Sequence, residues 1–155
     1  MNRVIRHFSA LVFAALTTGA FACVVQTQVN IVHLVRLGAP IGMGVRGWTT
    51  LEDLMRFMPV MVAIAAAALV PSLLVGDVAC RLFARALRPI VLALAGVAGL
   101  WLMFLLMGLV TPMPHLVVAT AESGGLAAMC LTGLPGGLVY AQLTRASDLP
   151  PRATA

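Results

Sequence analysis

Four long apolar stretches, at residues 8–25, 59–78, 90–110 and 123–143, constrain this chain more than any other feature. Each is close to the ~20 residues a helix needs to cross the hydrocarbon of a bilayer. Inside lipid a backbone must satisfy its own hydrogen bonds, and stretches of this length do so as helices. The expected fold is therefore all-α: an integral membrane four-helix bundle forming a single domain over residues 1–155. Composition agrees, with 61% hydrophobic and 10% charged residues against roughly 25% charged in a soluble domain.

The ten basic residues are all arginines, and they sit near the ends of the apolar stretches. That placement fits topology and lipid phosphates rather than nucleic acid, so the expected partners are the bilayer and other membrane subunits. With the N-terminus inside, Arg3, Arg6, Arg81, Arg85, Arg88, Arg145 and Arg152 fall on the cytoplasmic side. Only Arg36, Arg46 and Arg56 fall outside. This split predicts that both termini are cytoplasmic. Arg3, Arg6 and His7 ahead of an apolar run resemble a signal peptide, and Ala20 and Ala22 offer a cleavage-like site. An uncleaved first helix is the expectation.

The first connection, residues 26–58, carries most of the polar character. Residues 29–37 are apolar with His33 and Arg36 interspersed, and either extend helix 1 or lie at the interface. Four glycines and Pro40 within 38–47 predict a loop. Thr49 and Thr50 with Glu52 and Asp53 then form an N-cap pattern, so helix 2 is expected to begin there. Pro59 and Pro71 predict bends in that helix. Asp77 and Arg81 have the i, i+4 spacing of a pair on one helix face. The segment 111–114, with two prolines, ends helix 3, and residues 144–155 form a polar tail.

Few residues suggest chemistry. Cys23, Cys80 and Cys130 are far apart with no CxxC, and no Ser-His-Asp set, phosphate loop or HExxH occurs. No catalytic, cofactor-binding or metal-ligating residue is therefore predicted, and no cofactor. His33 and His115 fall in connections, as ordinary interfacial histidines do, and Glu122 suits a first-turn acid at a helix start. Gly133 and Gly137 have GxxxG spacing, and Ala95 with Gly99 repeats it in helix 3, so Gly133, Gly137 and Gly99 are the helix-packing candidates. Arg46, Trp48, Glu52, Asp53 and Arg56 are the partner-contact candidates, because they cluster in a connection that an idle linker would leave featureless.

The string Gln26-Thr27-Gln28-Val29-Asn30, then Leu37-Gly38-Ala39-Pro40, Val45-Arg46 and the run from Thr49 through Asp53 to Phe57-Met58-Pro59 resembles a family of small uncharacterised four-span proteins of proteobacterial inner membranes. The Leu94-Ala95-Gly96 string and the glycines of the last span are similar to that family's pattern as well. The chain departs from it at Thr120–Ser123, where members carry an arginine. The resemblance implies the inner membrane and carries no activity. Two functions follow as expectations: an accessory or scaffolding subunit of a larger membrane assembly, or a small transporter or channel acting as an oligomer.

Overall fold

The computed structural model describes residues 3–83, 85–110 and 123–145, nearly all of them helical. Helix α1 runs over Arg3–Arg36 and α2 over Met43–Phe83; a 3₁₀ turn at Arg85–Leu87 leads into α3, Arg88–Val110. The last span consists of α4, Ser123–Leu131, and α5, Gly133–Arg145. Counting α4 and α5 together, four helices are long and apolar enough to cross a membrane. The chain is a multi-pass helical membrane protein built as a four-helix bundle.

In space α1 packs on α2 and α5, and α3 packs on the same two, so the spans close a ring of antiparallel neighbours. Lipid supplies little hydrophobic drive between helices, and close backbone approach takes its place. A Cβ on Gly133 would meet the backbone of Gly96 in α3, one on Gly137 the Leu92 carbonyl, and one on Gly136 the Thr18 hydroxyl of α1. Helix α5 thus presses its backbone against both neighbours. Gly99 instead faces Ser72 and the Ala68 carbonyl of α2, and Ala95 lies against Gly76 of α2. The residue that meets Gly133 is Gly96, not either member of the Ala95 and Gly99 pair.

Of the two readings of residues 29–37, extension of helix 1 is the one observed, since α1 continues through Arg36. The loop expected over 38–47 is shorter than its sequence reading: α2 starts at Met43, which leaves residues 37–42. Gly38, at φ 89°, closes α1 in a Schellman motif: its N–H reaches the Val35 carbonyl at 3.0 Å and the Ala39 N–H reaches the Leu34 carbonyl at 3.1 Å. Gly42 acts as the cap of α2, its carbonyl accepting the Arg46 N–H at 3.1 Å. Thr50 is consequently helical and not a cap; its hydroxyl donates back to the Arg46 carbonyl at 2.7 Å. Gly44 and Gly47 each cost about 1 kcal/mol relative to alanine in a helix. Packing of Thr50, Asp53 and Leu54 toward α1 offsets that cost.

Contacts between α2 and α3 set their relative height. Gly76 lies against Ala95 and Gly99 against Ser72, an offset that places Val110, the end of α3, near Met61. The part of α2 before that point extends roughly 25 Å farther at 1.5 Å per residue. Together with the end of α1 it forms a two-helix hairpin rising beyond α3.

Helix α2 runs through Pro59 and Pro71 without a break. The last span, expected as one helix, is broken instead at Thr132. The Thr132 N–H turns back to the Met129 carbonyl at 3.2 Å, and its hydroxyl reaches the same carbonyl at 2.6 Å. Pro135 has no N–H to offer the Leu131 carbonyl, so the ladder is interrupted there. Residues 111–122, with His115 and Glu122, and residues 146–155 of the polar tail lie outside the described residues.

Candidate functional site

At one end of the bundle α1 and α3 begin and α2 and α5 finish; we call it the basal end. Asp77 of α2 is 5% exposed and Arg88, the first residue of α3, is 8% exposed. Arg88 Nη2 and Nε donate to Asp77 Oδ1 at 2.8 and 3.3 Å. Arg88 Nη2 also donates to the Thr144 hydroxyl of α5 at 2.8 Å, and that hydroxyl donates to the Tyr140 carbonyl at 2.6 Å. The other Asp77 oxygen accepts from Arg81 Nη2 at 2.6 Å, as the i, i+4 spacing predicts. His7 Nδ1 of α1 sits 3.0 Å from the buried Tyr140 hydroxyl. Every span contributes to the cluster.

Burying one acid against two arginines is tolerable because the hydrogen bonds replace lost hydration. Both oxygens of the cluster's carboxylate are engaged, although the Arg81 side chain stays half exposed. The cluster ties helices together. Sequence reasoning found the Asp77–Arg81 pair but treated Arg88 as a topology charge alone. The available signal was Asp77 itself, since an acid within a span demands partners.

The hairpin end is organised differently. Asp53 Oδ2 accepts the Thr27 hydroxyl of α1 at 2.8 Å, and its carbonyl lies 3.3 Å from Cys23 Sγ. Gln28 Nε2 donates to the Thr50 hydroxyl at 3.0 Å. These bonds join α1 to α2 only. Of the five partner-contact candidates, Asp53 therefore belongs to the helix pairing, and Arg46 shares that face of α2 at one and two turns' distance. Trp48 lies on the opposite face with Leu51 and Met55, Glu52 and Arg56 flank that face, all five are exposed, and Trp48 is 69% exposed. Glu52 and Arg56 pair at 3.1 Å in the open.

Above the break at Thr132, α4 stands away from α3 and leaves a lateral groove of about 510 Å³, lined by residues such as Val97, Ala98, Trp101, Leu126 and Cys130. Its walls are almost wholly apolar. Among the described residues no three of His, Cys, Asp and Glu come together as a metal site requires. The three cysteines are free and buried, Cys23 and Cys130 within one apolar cluster.

No family model, curated protein or solved structure matches this chain.

Proposed function

We propose that the protein is an accessory or scaffolding subunit of a larger assembly in a bacterial inner membrane, with no chemistry of its own. The observation that carries this reading is the hairpin: a rigid pair of helices rising beyond the end of α3, with Trp48, Leu51 and Met55 exposed beside an open ion pair. Aromatic and methionine side chains are what protein interfaces enrich, and the exposed face repeats them at helical spacing. The glycine contacts that draw α5 onto α1 and α3 leave little room for a polar route between spans, which weighs against the transporter or channel reading. The resemblance to small inner-membrane proteins supports the location, and the arginine split supports cytoplasmic termini with the hairpin outside.

Gentle purification of the tagged full chain from its own membranes, followed by native mass spectrometry, tests the reading. Other membrane subunits should accompany it in fixed ratio, and a Trp48→Ala variant at unchanged level should retain less of them. A homo-oligomer around a polar cavity would refute the proposal. For orientation, a periplasm-active reporter fused after Gly44 should be active and one fused after Arg85 silent; the reverse pattern overturns the topology.

A further inference from the structure

The loop that joins α1 to α2 has an unusual make-up for the tip of a helical hairpin in a membrane protein. Between Arg36 and Arg46, residues 37–45 contain no charged, hydroxyl or amide side chain. Leu37 is 84% and Met43 83% exposed, and Val45 is exposed beside them. The knob is also preformed. The Schellman closure at Gly38, the fixed φ of Pro40 and the Gly42 cap leave few conformations to lose on docking, which is where a binding loop gains affinity.

Three occupants are conceivable for an exposed apolar knob: the protein's own bilayer, a second copy, or a different protein. The bilayer is too far away. Headgroups add about 5–7 Å to each side of the hydrocarbon, whereas the hairpin carries the knob roughly 25 Å beyond the end of α3. A second copy is disfavoured by charge, because tip-to-tip contact would bring Arg36 and Arg46 of each chain against their counterparts.

We infer that the apolar tip at residues 37–45, framed by Arg36 and Arg46, seats in an apolar cleft rimmed by carboxylates on another protein subunit. This deepens the accessory-subunit reading and rests on it. The apolar side chains supply contact area and the two arginines set orientation and exclude basic rims.

The test places the photo-crosslinker p-benzoylphenylalanine at Leu37 or Met43, one at a time, in the full chain in its native membrane, with Val75 of α2 as the lipid-facing control. After irradiation the adducts are sequenced by mass spectrometry. The expected adduct is a peptide of another membrane-assembly protein that holds apolar residues beside Asp or Glu. An R36E/R46E variant should lower its yield about tenfold as like charges meet, and reversing the charge of the identified acids should restore it. R36Q/R46Q, which keeps polarity without repulsion, should fall between. Adducts only to lipid, only to a second copy, or to a peptide whose yield ignores these charge changes overturn the inference. So does the absence of adducts above the Val75 control. If partner subunits copurify while the tip gives none of the expected adducts, the tip inference fails and the accessory reading stands. If no other subunit copurifies, the accessory reading itself has failed.

Discussion

The two ends of the molecule hold their polar groups in opposite ways. At the basal end a buried carboxylate, a buried guanidinium, a threonine and a tyrosine–histidine contact engage all the spans. At the hairpin end the polar contacts link only α1 and α2, and the outward ion pair is open. A buried charge whose partner is lost costs far more than an exposed one. The basal end is therefore where substitutions threaten the fold, and the hairpin end is where they can change recognition without loss of structure.

The largest expected effect comes from Gly133→Leu with Gly137→Leu, which drives two side chains into the α3 backbone. Each should cost at least about 3 kcal/mol, the upper range for overpacking, and little folded protein should survive size exclusion. A parent-like yield would mean α5 does not pack as described. Next comes Asp77→Asn, which leaves Arg88 buried beside a neutral amide; about 3 kcal/mol is expected, at the low end for a broken buried pair because Arg81 stays half in solvent. Adding Arg88→Met should recover part of the loss, and a double variant weaker than the single would argue against the pair's isolation from solvent. Thr27→Val keeps shape but removes the donor to Asp53, for about 1 kcal/mol. Its signature should be faster proteolysis within the hairpin, with the bundle melting almost as before. Smallest is Glu52→Ala, below about 0.5 kcal/mol for an exposed i, i+4 pair. A loss comparable to that of Asp77→Asn would erase the distinction between the two ends.

Much of the body was legible because its causes are local. Span lengths, the Asp77–Arg81 spacing and the crowding of small residues in the last span all operate within a few turns of helix. The hairpin was misjudged because glycine was read as a terminator. Its penalty is only about 1 kcal/mol per residue, and pairing of Thr50 and Asp53 with α1 outweighs it. The basal cluster joins Arg88 to Thr144 across 56 positions and His7 to Tyr140 across 133, and no local pattern announces such partners. Recognition candidates were read as one patch, yet helical geometry sends Asp53 and Trp48 to opposite faces of α2. The spacing of residues 48, 51, 52, 55 and 56 held that information once the segment was known to be helical.

Helix α2 is continuous from Met43 to Phe83, so it acts as a keyed shaft. The compass direction of the Trp48 face is geared to the bundle by residue count alone. Removing one residue between Arg56 and Met61 would swing that face by about 100°, whereas removing all four would lower it by about one turn and return it to within about 40° of its bearing. A partner that grips the hairpin can thus read the rotational setting of a helix whose other end is clamped at Asp77.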